Sequence, residues 1–77
     1  MDVRELLETL ASAVVESPDA VKVSQAEEDG AIVLELSVAD DDYGRVIGRD
    51  GRTAQALRTL VKAAAPEGHR VFVDIID

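Results

Sequence analysis

The sequence predicts a small α+β domain with helices on one face of a three-stranded mixed sheet. Two segments repeat apolar residues at helical spacing, and three shorter ones alternate apolar with polar residues. The chain of 77 residues has room for one domain, residues 1–77, and its 47% hydrophobic content fits a packed globule. The predicted order is helix, strand, strand, short helix, helix, strand.

The first predicted helix starts at Asp2, which can cap it, because Glu5 three residues later completes a variant of the capping box. One side of the following segment is apolar and carries Val3, Leu6, Leu7, Leu10 and Val14. Pro18 ends this helix, because proline disfavours the helical conformation of the residue before it.

Two strands follow, and we expect them to form an antiparallel hairpin. Val21 and Val23 alternate with polar residues in the first strand, and a polar turn at 27–30 ends in glycine. The second strand alternates over residues 32–38. Its Val33 makes the second face partly apolar, which favours a central position in the sheet.

The residue pattern in the second half of the chain predicts two helices and a last strand. Residues 43–47 are long enough for one helical turn, and the segment from Gly48 to Gly51 interrupts it. A helix over residues 53–65 then has a broad apolar side formed by Ala54, Leu57, Leu60, Val61 and Ala64. Residues 71–76 alternate as the third strand. If the crossover joins parallel strands, it is right-handed, and all helices lie on one face of the sheet.

Positive charge is concentrated around the glycines of the second half. Residues 44–64 hold five basic residues and one acidic residue, a net charge of +4, whereas the rest holds three basic and fifteen acidic residues, a net charge of −12. The overall charge of −8 argues against a general nucleic-acid coat. The basic segment can still act locally, because the Debye length in the cell is about 8 Å.

Composition excludes several classes of site. The chain has no cysteine, and therefore neither a disulfide framework nor a thiolate metal site. No catalytic triad or carboxylate pair is placed by motif, so we expect neither an enzyme nor a cofactor. For Asp40-Asp41-Asp42, helix capping and solubility are favoured over a metal site. No apolar run reaches membrane-spanning length and the start lacks a signal-peptide pattern, so we expect a cytoplasmic protein without membrane contact.

The segment Gly48-Arg49-Asp50-Gly51 is the strongest candidate site. Free backbone N–H groups at a helix start, together with the helix dipole, favour an anion. Glycine permits close approach of a ligand backbone, and Arg49 and Arg52 add positive charge. The alternative is an ordinary helix–helix turn with a C-cap glycine. The spacing does not match a dinucleotide-binding or P-loop motif.

The segment from Val46 to Leu57 resembles the signature of KH domains. It has an apolar pair, a Gly-x-x-Gly loop and then a helix with aliphatic residues. The element order resembles the type II arrangement. The whole chain is similar to the KhpA family of small bacterial single-KH proteins, most specifically over Gly48 to Lys62.

This resemblance implies single-stranded RNA binding with low sequence specificity, in which the loop clamps the backbone of about four nucleotides. The RNA-binding residues would be Arg45, Val46, Ile47, Gly48, Arg49, Asp50, Gly51, Arg52 and Leu57. The resemblance also implies a homodimer and a KhpB-like partner, also called EloR. It further implies a role as RNA chaperone or post-transcriptional regulator in cell elongation and division.

Asp50 departs from what a phosphate-binding loop favours. An exposed carboxylate beside a phosphate costs about 1 kcal/mol. Either Arg49 and Arg52 offset this charge or the Asp50 side chain caps the following helix. The negative net charge, Asp50 and the scarcity of aromatic residues favour an alternative function. In this alternative function, the chain is a protein-interaction module, and its contact with RNA is secondary.

Overall fold

The computed structural model describes residues 1–77 and contains the elements in the predicted order. The helices and strands have the following bounds: α1 Val3–Val14, β1 Lys22–Glu28, β2 Ala31–Ser37, α2 Tyr43–Ile47, α3 Arg52–Ala63 and β3 Arg70–Ile75. Single 3₁₀ turns precede β1, α2 and α3 at Pro18–Ala20, Asp40–Asp42 and Arg49–Gly51.

Helix α1 starts with the capping box that the sequence predicts. The Asp2 carboxylate accepts a hydrogen bond from the backbone N–H of Glu5 at 2.8 Å, and the Asp2 N–H donates to the Glu5 carboxylate at 3.4 Å. The helix ends at Val14, because Val15 has an extended backbone. Val14 was predicted on the apolar side, but at this last position its side chain is 38% exposed.

The sheet has the order β1-β2-β3, with β1 antiparallel and β3 parallel to the central β2. The predicted central position of the second strand is confirmed. The polar turn is shorter than predicted, because β1 continues to Glu28, which pairs with Ala31. Asp29 and Gly30 alone form the turn, with φ angles of 49° and 80°. Two such residues with positive φ suit a tight hairpin.

The core lies between the sheet and the helices. Its fully buried side chains come from both layers, with Leu34 and Leu36 in β2 facing Leu7, Val46 and Val61 in the helices. On the opposite sheet face Val33 is half-buried, while Phe72 and Asp74 are exposed. The domain therefore has two layers, as predicted.

Helix α3 buries a narrower side than the sequence predicts. Only Ala54, Leu57 and Val61 enter the core, whereas Leu60 is 51% exposed and Ala64 is exposed. In a two-layer domain a helix on the outside of the sheet needs only one stripe of contacts, so the flank of its apolar arc stays in solvent. None of the helices has the length and apolar character needed to cross a membrane.

Candidate nucleic-acid interface

The Gly-x-x-Gly segment forms the connection between α2 and α3. Its backbone turns sharply, because Gly48, Asp50 and Gly51 all have positive φ angles, 77°, 56° and 75°. The Gly48 N–H donates to the Gly44 carbonyl at 2.8 Å, and the Gly51 N–H donates to the Gly48 carbonyl at 3.1 Å. The loop is thus a fixed turn that leads directly into the first turn of α3.

Glycine is favoured at the two loop positions for different structural reasons. Gly48 has ψ 172° with φ 77°, a combination open essentially only to glycine. A Cβ there would lie 2.3 Å from Thr53 Oγ1 and 2.8 Å from the Thr53 backbone nitrogen. Gly51 has ψ 12°, the left-handed helical conformation, and an added Cβ would meet no atom within 4 Å. Gly48 is therefore required by packing, whereas Gly51 only needs a residue that tolerates positive φ.

The charged side chains of the loop are exposed and unpaired. Neither Arg49 nor Arg52 has a carboxylate oxygen within 4 Å of its guanidinium nitrogens. Asp50 makes no capping hydrogen bond to α3, whose N-cap is Gly51. The capping role considered for Asp50 is thus wrong, because its left-handed backbone places Gly51 and not Asp50 at the cap position. The loop presents two free cations and one free carboxylate.

Arg45 differs from the loop arginines, because two acids hold it. Its guanidinium pairs with the Glu16 carboxylate, and its Nε lies 3.5 Å from Asp42 Oδ1. The side chain is still 44% exposed. Part of its charge is thus compensated within the protein, whereas Arg49 and Arg52 keep their full charge for a ligand.

Asp42 connects α1 to α2 by hydrogen bonds that the sequence did not reveal. Its buried carboxylate accepts from the backbone N–H groups of Glu16 and Ser17, both at 3.0 Å. It makes no capping bond to α2, so the expected capping role is wrong for this residue. Asp40 and Asp41 are exposed, as solubility residues would be. No local pattern could identify Asp42, because its partners lie about 25 residues earlier in the chain.

The apolar residues near the loop differ in how deeply they are buried. Val46 is fully buried and Leu57 is buried, so neither presents its side chain to a ligand. Ile47 is half-buried at the end of α2 and packs against the core. Of the three apolar candidates, Ile47 alone is available for direct contact, and Val46 and Leu57 lie beneath the surface.

Helix α3 lies beside the edge strand β3. The Arg58 Nε donates to the Val73 carbonyl at 3.2 Å, and this bond joins the middle of α3 to the middle of β3. Arg58 is half-buried here, whereas Lys62, one turn further along α3, is exposed. The strand edge next to the loop helix is therefore that of β3.

Comparison with known proteins places the sequence among KH domains. The model of the KhpA/KhpB KH domain matches residues 4–75. RNA-binding protein KhpA of Caldanaerobacter subterraneus subsp. tengcongensis is 55% identical over 73 residues, 94% of this chain and 97% of that protein. RNA-binding protein KhpA of Clostridium acetobutylicum is 51% identical over 95% of this chain and 99% of that protein. The Streptomyces coelicolor protein of the same name is 48% identical, over 95% and 90%.

A likeness in fold extends to a protein of different size. The crystal structure of an Era variant from Aquifex aeolicus superposes with a TM-score of 0.63 and 16% identity. The match covers 96% of this chain and only 30% of the Era chain. At this identity the likeness concerns the fold alone.

Proposed function

The chain belongs to the KhpA/KhpB family of KH domains, and on that basis we propose that it binds single-stranded RNA. The backbone of about four nucleotides lies against the loop from Gly48 to Gly51. Arg49 and Arg52 pair with the phosphates. The relatives described above carry the name RNA-binding protein, which supports this proposal.

The observation that carries the proposal is a hydrogen-bonded loop with free cations at the start of α3. A fixed turn lowers the entropy that binding would otherwise cost. The dipole of α3 favours an anion at the start of the helix, and the unpaired guanidinium groups of Arg49 and Arg52 add to that preference. An ordinary helix–helix turn would need the glycines but not two exposed, unpaired arginines.

In this proposal the bases of the RNA extend past the glycine loop and make few contacts with side chains. Ile47 is the apolar contact, and the buried Val46 and Leu57 keep its position. Arg45 contributes long-range charge rather than a direct phosphate contact, because Glu16 and Asp42 already hold it. With one apolar contact and no aromatic residue in the loop, we expect low sequence specificity and strong salt dependence.

Gly51 is the best position for testing the clamp. Gly48→Asp is a poor choice, because any side chain there collides with Thr53 and disturbs the fold. At Gly51 there is open space, and asparagine and aspartate both tolerate the left-handed backbone. Gly51→Asp and Gly51→Asn have nearly the same shape and differ by one negative charge, so their comparison isolates electrostatics.

The measurement is fluorescence anisotropy of a short labelled single-stranded RNA, at low and at physiological salt. We expect Gly51→Asp to bind about fivefold or more weakly than Gly51→Asn at low salt, with a smaller difference at higher salt. Circular dichroism checks that both variants are folded. Equal affinities of the two variants, or no binding by the wild type at low salt, would contradict the proposal.

We further propose that the protein acts with a KhpB-like partner as an RNA chaperone or post-transcriptional regulator in cell elongation and division. The resemblance to the KhpA family supports these roles, and the cytoplasmic location expected from the sequence stays a prediction. Co-purification with a tagged KhpB-like protein from the source cell tests the partnership. Recovery of RNA with the wild type but not with Gly51→Asp tests the regulatory role.

Two observations favour a second candidate function, that of a protein-interaction module. The chain has a net charge of −8, and Leu60 exposes half of its apolar side chain. In that function a partner binds α3, and the loop is a connection without an RNA role. Full partner binding by Gly51→Asp, combined with no RNA binding by the wild type, would favour this alternative.

A further inference from the structure

We infer that the protein has a second nucleotide-binding site, which holds one further nucleotide in a cavity at the far end of α3 from the glycine loop. The cavity has a volume of about 290 Å³ and lies between the end of α3 and the start of β3. Six residues line it: Lys62, Ala65, His69, Arg70, Val71 and Phe72. This inference rests on the proposed RNA binding and extends it to a separate site.

Phe72 supplies a surface on which a base can stack. Its ring is 46% exposed, on an edge strand and on the sheet face that no helix covers. The guanidinium carbon of Arg70 lies 5.7 Å from the ring centroid. A planar cation over one face of a partly exposed ring, at the rim of a cavity, is similar to the stacking platforms with which proteins hold single-stranded bases.

The cavity also carries positive charge that the protein does not compensate. Neither Lys62 nor Arg70 has a carboxylate oxygen within 4 Å. The one acid close to a lining side chain is Glu27, whose carboxylate lies 4.0 Å from His69 Nε2. Lys62 and Arg70 therefore remain available for the phosphates on either side of a stacked base. A free aromatic amino acid or a neutral ligand would not use both features.

The site is separate from the glycine loop and lies at the other end of α3. Arg52 and Lys62 stand at opposite ends of α3, about 15 Å apart along the helix axis. Arg58 lies between them at the junction of α3 with β3. Arg70, six residues after the basic segment 44–64, adds a cation at this end of α3. Only an RNA longer than the loop needs can occupy both ends.

RNA length separates the two sites experimentally. We would measure binding of a four-nucleotide and an eight-nucleotide single-stranded RNA to the wild type, Phe72→Leu and Arg70→Gln. Phe72→Leu keeps an apolar side chain and removes the stacking surface. Arg4→Gln on α1 is the control for Arg70→Gln, because it makes the same change in net charge away from the cavity. Circular dichroism confirms the fold of each variant.

We expect Phe72→Leu and Arg70→Gln to weaken binding of the eight-nucleotide RNA by about fivefold or more and to leave the four-nucleotide RNA unaffected. Arg4→Gln should bind both RNAs as the wild type does. In spectra of the ¹⁵N-labelled wild type, the longer RNA should shift the backbone amide signals of Arg70 and Phe72, and the shorter one should not.

The two proposals fail in different ways. If the eight-nucleotide RNA shifts only amides of the glycine loop, or if all cavity variants bind it as tightly as the wild type, the second site is wrong and the clamp stands. If the longer RNA binds through the cavity and Gly51→Asp has the affinity of Gly51→Asn, the clamp is wrong. If the wild type binds neither RNA, both proposals are wrong.

Discussion

Gly48 and Gly51 belong to one motif but contribute to it in different ways. Gly48 is fixed by its own backbone angles and by Thr53 packed against its Cα, so its role is to shape the loop. Gly51 lies in open space at the N-cap of α3. The absence of a side chain there leaves the surface open, as the proposed RNA clamp requires.

Alanine at the two glycines should separate these roles in stability. Gly48→Ala should lower the free energy of unfolding by about 3 kcal/mol, because it combines a backbone region nearly forbidden to alanine with a collision at Thr53. Gly51→Ala should cost about 1 kcal/mol, since only the left-handed backbone is unfavourable there. Urea denaturation followed by circular dichroism measures both. Equal losses would show that the loop is not held in this conformation.

Asp50 should limit the affinity of the proposed RNA site. It is an exposed carboxylate without a hydrogen bond or a cation within 4 Å, in a left-handed conformation that asparagine also tolerates. Asp50→Asn should therefore keep the loop and strengthen binding of single-stranded RNA by about fivefold at low salt, since it removes a repulsion of about 1 kcal/mol.

The control for this change is Asp19→Asn, which alters the net charge equally on an exposed 3₁₀ turn outside the loop. Anisotropy titrations of labelled RNA with both variants separate the effect of a charge in the loop from the effect of the net charge of the protein. An equal gain in both variants would mean that the net charge, and not the position of Asp50, sets the affinity.

At the scale of elements, Asp42 determines how α2 stands against α1. Its carboxylate receives two backbone N–H groups from the segment after α1, and it lies immediately before α2. Since α2 leads into the glycine loop after only five residues, the position of the loop depends on this connection. Glu16 reinforces it through its ion pair with Arg45.

Replacing Asp42 by asparagine should therefore destabilise the fold. The amide has one acceptor oxygen in place of two, and its NH₂ group would face a backbone N–H that has no other partner. We expect Asp42→Asn to lower the free energy of unfolding by about 2–3 kcal/mol. Asp41→Asn, its exposed neighbour without hydrogen bonds, should change stability by less than about 0.5 kcal/mol. Urea denaturation distinguishes them, and equal values would contradict the role of Asp42.

Elements with strong local signals could be predicted from the sequence, and contacts between distant segments could not. The capping box at Asp2 and the short helix over residues 43–47 were predicted correctly. The hairpin turn was predicted too long, since acidic residues such as Glu28 are as acceptable on an edge strand as in a turn. Asp42 and the cavity at Phe72 depend on tertiary contacts that no local pattern encodes.

On the scale of the whole molecule, the segregation of charge decides how RNA can approach. The chain has a net charge of −8, yet the unpaired cations of the loop and the cavity follow α3 and the start of β3. Long-range attraction is therefore weak, and binding depends on contacts within about one Debye length, about 8 Å at physiological salt. RNA binding should be confined to this side of the domain.

The exposed side of α3 predicts a homodimer. A domain of this size buries only roughly 60% of its unfolded surface, which favours association. Ala56, Leu60 and Ala63 recur at helical spacing and are all exposed, and Leu60 is the largest side chain among them. Two copies that pack these stripes together would bury Leu60, and the small alanines would let the helices approach closely.

A charge at Leu60 should abolish this association. Leu60→Glu would bury an unpaired carboxylate in the dimer while it stays solvated in the monomer. We expect the wild type to sediment as a dimer at high protein concentration and Leu60→Glu to sediment as a monomer of unchanged circular dichroism. Ala13→Glu is the control, because it adds the same charge at an exposed position of α1. A monomeric wild type, or a Leu60→Glu variant that dimerises like the control, would show that α3 is not the interface.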